Sequence, residues 1–560
     1  MKKIIYRLLF TSFVLIAILT GCNDNFLEIT PTDRISEASL IADSSLFEDF
    51  VINRYMGVRL QDKEGEGTAP GFGRGFEYAI WSTITDESMY TNDDNTWLIQ
   101  KGQLSPENTG ISVSFWGRSY RSIRECNFAL SIIDKVQISG SAKKRLIAEL
   151  KFIRAYRYFD LVHNYGKVVL LGDKVYELGD DFSQEEIYMR SDLSTCTAYV
   201  ADQLGEAAVD LPLAYSSNWV KGRATKGAAL ALKARMLLYD ASPLYNNGTI
   251  NESKMQVAAD AAKAVMDLKV YSLHSDYSGL FLATDSKESI FSRYYVTGQR
   301  HVCLEIAYGP NGYGGWGGST PFQNLVDAYE MNNGLPIDDP ASGFNNQNPY
   351  INRDSRFYAT ILYNGADYRG RQVETFIPKG KDSKEGSSNW NTSQTGYYLR
   401  KWMDDKNPID NPWNVSGLQP WPYIRYAEVL LNYAEAQNEA AGPDQSVYDA
   451  INKIRTRAKL PNLTSGISKE EMREKIRNER QVELAFEEHR YYDVRRWMIA
   501  DKVENLPGYG IRITKSGNNL SYEKFEALSG RKFETKHYWL PIPRAEIQAS
   551  GNKLEQNPGY

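Results

Sequence analysis

The side chains in this sequence best suited to chemistry are indoles set among short polar residues. Asn92-Asp-Asp-Asn-Thr-Trp97 places a tryptophan beside amides and acids. Sugars are held by that mixture, a ring face against their apolar C–H face and planar polar groups against their hydroxyls. On that chemistry Trp97 and Asn95 are candidate ligand contacts; the alternative is a turn closed by Asx side chains, with Trp97 anchoring it inward. Asp93 and Asp94 lack the spaced ligands of an EF-hand calcium loop. A second indole, Trp316, stands in Gly312-Tyr-Gly-Gly-Trp-Gly-Gly-Ser-Thr-Pro321. Thr320, Pro321 and Gln323 read as a capping box opening a helix that runs through Val326 and Tyr329. Trp316 is then expected in a loop just before a helix N-terminus, either as an exposed stacking platform or as a buried plug. A phosphate cradle would require a lysine after the glycines.

Catalytic patterns are weak. The five histidines, at 163, 274, 301, 489 and 537, form no His-Glu-x-x-His, and Gly-x-Ser-x-Gly is absent. Phe72-Gly-Arg-Gly lacks dinucleotide-loop spacing, and Asp404-Asp405 is a pair that an acidic chain supplies by chance. Glu479, Glu483 and Glu487 recur every four residues, so they share one face of a long helix expected to start at Ser468, with Glu471 completing a capping box. That helix also carries Arg480, Arg490, Asp493, Arg495 and Arg496. The acidic row reads as Arg–carboxylate bracing rather than a metal site. No catalytic residue, metal ligand or cofactor is expected.

The elements that must hold these residues follow from patterning. Lys2, Lys3 and Arg7 precede an apolar run from Leu8 to Leu19 that ends Leu19-Thr-Gly-Cys22. The run is short for a bilayer span and reads as a lipoprotein signal, residues 1–21, with Cys22 the acylated first residue of the mature chain. Two or more acyl chains anchor stably, so the protein is expected on a membrane, facing away from the cytoplasm. Cys126, Cys196 and Cys303 are odd in number and far apart, and read as buried thiols. A net charge of −5 offers no basic field to nucleic acid. Apolar residues at three-to-four spacing predict helices near 45–60, 112–137, 142–165 and 191–210. Thr225 to Ala241, N-capped by Thr225, and a stretch near 254–268 form one alanine-rich pair, and Tyr426 to Ala441 and Val447 to Ala458 form another. Such pairs are tetratricopeptide-like, without a clean repeat. Residues 290–425 are loop-rich, with strand-like pieces at Ser289 to Val296 and Gly396 to Trp402. Lys379 to Ser388 reads as a solvated loop, and the last fifty residues hold another loop-rich stretch.

Several of these segments together are specific. Cys22-Asn-Asp-Asn-Phe-Leu, Gly222-Arg-Ala-Thr-Lys-Gly-Ala-Ala-Leu-Ala-Leu-Lys-Ala-Arg235 and Arg425-Tyr-Ala-Glu-Val-Leu-Leu-Asn-Tyr-Ala-Glu-Ala-Gln-Asn-Glu439 resemble the SusD/RagB family of outer-membrane nutrient-binding lipoproteins. So do Ile451-Asn-Lys-Ile-Arg-Thr-Arg-Ala458, the run from Glu479-Arg480 to Arg496-Trp497, and Gln556-Asn-Pro-Gly-Tyr560. The resemblance runs from the lipobox to Tyr560. It implies a mostly α fold, tetratricopeptide-like hairpins in an α-α superhelix, with a loop-rich, β-poor face toward the ligand. It implies an N-terminal helical part over 22–285 and a C-terminal part over 286–560, forming one structural unit. It also implies a non-catalytic protein that captures an oligosaccharide, polysaccharide or other nutrient at the cell surface and acts as a lid over a partner, a SusC-like TonB-dependent transporter of the outer membrane. Aromatic platforms with Asn, Asp or Arg nearby serve that family's sugar binders, which adds Arg74, Tyr294 and Tyr295 to Trp97, Trp316 and Asn95. The alternatives are a peptide-binding member of the family and a secreted glycoside hydrolase.

Overall fold

A computed structural model describes residues 36–55, 79–93, 95–110, 115–177, 179–215, 221–296, 301–386, 389–409 and 417–560. Among these, ten helices have eight residues or more. They are α1 (Ser44–Tyr55), α2 (Phe115–Ile132), α3 (Gly140–Tyr165), α4 (Leu193–Asp210), α5 (Lys226–Ala241), α6 (Glu252–Met266), α7 (Tyr426–Ala441), α8 (Gln445–Arg457), α9 (Lys469–Glu483) and α10 (His489–Arg496). Helices α2 to α6 pack each on the next, and α7 packs on α6, so the stack continues across the long excursion of chain between them. Small residues permit this closeness: Ala228, Ala229, Ala231 and Ala234 of α5, Ala258, Ala259 and Ala262 of α6, and Ala427 and Ala434 of α7 are all buried. Thr225 caps α5 as its sequence predicts, accepting from Ala228 N at 3.2 Å, and Ser468 and Glu471 form the capping box that opens α9. The mostly helical, tetratricopeptide-like reading is borne out. The three described cysteines are free and buried.

Among the described residues, ten strands form five two-stranded antiparallel sheets. They are β1 (Ser88–Tyr90), β2 (Ser289–Arg293), β3 (Ser319–Pro321), β4 (Ile361–Leu362), β5 (Asp367–Tyr368), β6 (Arg371–Gln372), β7 (Tyr398–Leu399), β8 (Trp421–Arg425), β9 (Gly508–Ser516) and β10 (Asn519–Leu528). β1 pairs with β3, β2 with β8, β4 with β7, β5 with β6 and β9 with β10.

Three expectations require correction. Thr320 does not cap a helix: it is extended in β3, in register with Met89 of β1, and Phe322 N donates to Glu87 O at 2.8 Å. Strand pairing has claimed the backbone that a cap would leave free. The helix that follows spans only Gln323–Ala328, and Tyr329 is already extended. The helix from Ser468 does not run through Arg496. It stops at Glu483 and resumes at His489, with Phe486 and Glu488 at positive φ. Side-chain cations replace amides at the break: Arg425 donates to Glu483 O and Lys401 to Ala485 O, each at 2.7 Å, so those carbonyls need no helical partner. Finally, the loop-rich C-terminal stretch contains the two longest strands, β9 and β10, joined at Gly517-Asn518.

Candidate functional site

Three loops meet around the β1–β3 ladder. Thr91 N donates to Gly318 O at 2.8 Å, and the Thr91 hydroxyl donates to Gly317 O. Seven residues past Tyr90, the Trp97 indole N–H returns to Tyr90 O at 3.0 Å, while Asp93 Oδ1 accepts from Trp97 N at 2.8 Å. Trp97 is therefore half-buried; its ring packs on Met89, Phe322 and Leu528, with Lys101 Nζ 5.2 Å from the ring centroid. Asn95 is exposed and in the left-handed region, φ 61°.

The glycine loop is held by close backbone approaches. Trp316 N donates to Ile306 O at 2.6 Å and Gly317 N to Gly309 O at 2.9 Å. A Cβ at Gly315 would collide with Gly309 O, and one at Gly317, φ +53°, would lie 2.8 Å from Asn391 O. The third loop thus lies directly against Gly317, and it carries Trp390. This indole is 76% exposed, the most exposed large apolar side chain among the described residues, whereas Trp316 is half-buried.

A single hydroxyl ties the glycine loop to the Trp390 loop. Tyr398 Oη lies 2.8 Å from both Asn311 Oδ1 and Asp382 O, and accepts from Ser393 N at 3.1 Å. Burial pushes this phenol well above its ordinary range, so it remains a neutral hydrogen-bonding group. Arg371 stacks 3.7 Å from the Tyr313 centroid and pairs with buried Asp382 at 2.7 Å. The outer edge of β9 completes the frame: Ile511 N donates to Thr395 O, Ile377 N to Ile513 O and Lys515 N to Ile377 O, all at 2.8 Å.

The glutamate row is buried within the scaffold. Glu479 accepts from Arg356 at 2.5 Å and Arg455 at 3.2 Å. Glu483 accepts from Arg425 at 2.6 Å, from Arg356 at 3.0 Å and from Arg457. Glu487 pairs with Arg425 at 2.6 Å and Lys401 at 2.7 Å. Burial alone would raise Glu483, but Arg457, Arg425 and Arg356 hold it well below the usual carboxylate range. Burial lowers Lys401 to about 8 against the pull of Glu487. The row braces the scaffold, as its spacing predicts. A cleft of about 500 Å³ shares no residue with the tryptophan junction; it is lined by Asp276, Phe281, Leu282, Tyr358, Trp402 and Asp405 among others. Its one indole, Trp402, is 2% exposed and stacked on Trp421 at 5.3 Å, so it offers no ring face.

Comparison with known proteins now bears on this arrangement. Residues 280–560 match the SusD family, and residues 73–238 match a family described as starch-binding and associating with the outer membrane. The chain belongs to the SusD family. A SusD-like protein of Bacteroides fragilis shares 31% identity at a TM-score of 0.77, covering 95% of this chain and 100% of that one. A SusD-like carbohydrate-binding protein of the same organism shares 26% identity at a TM-score of 0.75, covering 92% and 99%. SusD-like protein P2 of Formosa agariphila is 23% identical over 588 residues and is matched along 100% of both chains.

Within this SusD-family chain, the structure brings the Trp97 and Trp316 loops together, with Asn95 at the rim. Tyr294 and Tyr295 have a different set of partners. The Tyr294 hydroxyl is 3.3 Å from Ser289 Oγ; Tyr295 is 9% exposed, edge-on to His301 at 4.6 Å and beneath Arg293 at 4.8 Å. Arg74 and Cys22 lie outside the described residues. Trp390 was not anticipated. Its signal was present in Asn389-Trp-Asn391, an indole between two amides just past a polar tract.

Proposed function

We propose that the chain captures glycans at the outer surface of the outer membrane and passes them to a SusC-like TonB-dependent transporter, without breaking a bond. The acyl anchor would be at Cys22. Ligand contacts would come from Trp390 and Trp316, with Trp97 and Asn95 at the edge. The observation carrying this reading is Trp390: an indole open to solvent on a loop fixed against the Trp316 loop by buried hydrogen bonds through Tyr398. An open indole face is available for stacking, and a flat ring beside amides matches the apolar face and hydroxyls of a sugar. The family's carbohydrate-binding relative supports the ligand class.

Two features favour binding over hydrolysis. A glycosidase needs two carboxyls facing each other across the scissile bond, whereas two described acids of this junction hold loops: Asp382 is paired with Arg371, and Asp93 accepts from Trp97 N. The junction is also an open surface, so affinity would be modest because little ligand area is enclosed. Calorimetric titration against an oligosaccharide panel tests the reading, with prolonged incubation and analysis of reducing ends. Binding without new reducing ends is expected. Cleavage would favour the hydrolase, and silence across the panel would remove the glycan assignment. Co-purification of a TonB-dependent transporter with the lipidated chain tests the partner.

A further inference from the structure

The loop that shares the Tyr398 hydroxyl with the Trp390 loop carries lysines in an asymmetric setting. Lys379, Lys381 and Lys384 are all exposed. The acids of the same loop are engaged by its backbone, and Asp382 is buried. Asp382 Oδ2 accepts from Glu374 N at 2.8 Å, Glu374 Oε2 from Lys381 N at 3.3 Å and Glu385 Oε2 from Lys379 N at 3.3 Å. Asp382 is further neutralised by Arg371. Only Lys381 has a carboxylate near its ammonium group, Glu374 at 3.8 Å. Among the described residues, Lys379 and Lys384 form no ion pair. Two further cations flank the same surface: Lys515, exposed, bonds through its backbone to Ile377, two residues before Lys379, and Lys101 sits over Trp97.

This placement is tied to the tryptophan loops. Asp382 O and Ser393 N meet on the Tyr398 hydroxyl, so the lysine loop and the Trp390 loop share one anchor. A Cβ at Gly312 would lie 2.6 Å from Lys381 O, which seats the lysine loop against the glycine loop as well. The chain as a whole carries a net charge of −5, so the ammonium groups of Lys379 and Lys384, which form no ion pair among the described residues, oppose the overall sign on a loop that shares an anchor with the Trp390 loop. Exposed charges act over about one Debye length, about 8 Å at physiological salt, so they select only what settles on this junction.

Resting on the glycan-capture reading, we infer that the ligand is an anionic oligosaccharide, bearing uronate carboxylates or sulfate esters. The indoles take the ring faces and Lys379, Lys381 and Lys384 take the charges. The test titrates uronate and sulfated oligosaccharides against their own neutral forms, methyl-esterified or desulfated, so that ring, linkage and length are unchanged. Exposed cations contribute modestly, roughly twofold each, so at least one anionic member should bind roughly tenfold more tightly than its neutral form. That preference should largely vanish in Lys379→Gln/Lys381→Gln/Lys384→Gln and in about 1 M NaCl, where the Debye length is about 3 Å. Because all three lysines are exposed, the triple variant should keep its unfolding midpoint. If neutral forms bind as well or better, or the preference survives the triple variant, the inference is wrong while glycan capture stands. If no member of either kind binds, glycan capture itself falls, and this inference with it.

Discussion

Trp390→Ala should separate binding from folding more cleanly than any other change in this protein. A tryptophan contributes about 200 Å² when enclosed, and 76% of Trp390 is in solvent, leaving roughly 150 Å² open. A pyranose ring covers one face, about half of that. At about 25 cal/mol per Å², the covered face contributes about 2 kcal/mol, equivalent to a loss of about 25-fold in affinity. The folded state should hardly register the change, because removing an exposed side chain alters stability by about 0.5 kcal/mol or less. Calorimetric titration with the best oligosaccharide from the panel reads the first quantity and urea denaturation the second. Trp316→Ala makes the contrast: its half-buried ring sits in a loop packed against Ala307 and Gly309, so stability and binding should fall together. Affinity of Trp390→Ala within threefold of the parent would refute the platform role of this indole.

Arg425 is 1% exposed and bridges Glu288, Glu483 and Glu487. Arg425→Met leaves buried carboxylates under-compensated and should cost about 3–5 kcal/mol, read as a lowered urea midpoint. Burial, with Asp86 beside it, raises Glu87 to about 8 from the usual 4.5. Between those values the folded chain keeps a proton that the unfolded chain releases, so stability falls as pH rises from about 4.5 to about 8. The contribution lost by pH 7 is on the order of 3 kcal/mol. Glu87→Gln should remove that part of the slope in denaturation series at pH 5, 7 and 8; an unchanged slope would show that Glu87 does not titrate there. Gly315→Ala drives a Cβ into Gly309 O and should weaken glycan binding more than it lowers the global unfolding midpoint, measured on one preparation.

What the sequence made legible was local. The capped start of α5 at Thr225 and of α9 at Ser468 involve neighbours three residues apart, and the alanine pattern of α5 to α7 declares its buried face within a few turns. The site is built from distant pairings. Thr320 looked like a cap because its partner, Met89, is 231 residues away, and local pattern does not contain that strand. The β9–β10 hairpin was less hidden: Ile511 and Ile513 alternate with polar residues before Gly517-Asn518. Its surroundings are loop-like in composition, and that texture masked the period. Trp390 escaped for a related reason, since a polar tract reads as solvated whether or not its neighbour does chemistry.

The glutamate row reconciles these two kinds of information. The chain leaves the helical stack after α6 and rejoins it at α7, and the intervening excursion supplies the Trp316 and Trp390 loops. The row and its cations grip that excursion at separate points. Near its start, the Tyr277 hydroxyl donates to Glu483 O at 2.8 Å, and Glu288 meets Arg425 and Arg457 at 2.7 and 3.0 Å. In its middle, Arg356 reaches Glu479 and Glu483, and Lys401 reaches Glu487. At its end, Arg425 of β8 binds Glu483 and Glu487. Buried ion pairs of this kind add little net stability over apolar packing, yet each admits few geometries, because an unpaired buried charge is costly. Three acids at helical spacing thus fix where a long, otherwise irregular segment enters, turns and leaves, and the loop tips between those clamps are free to carry whatever side chains a ligand requires.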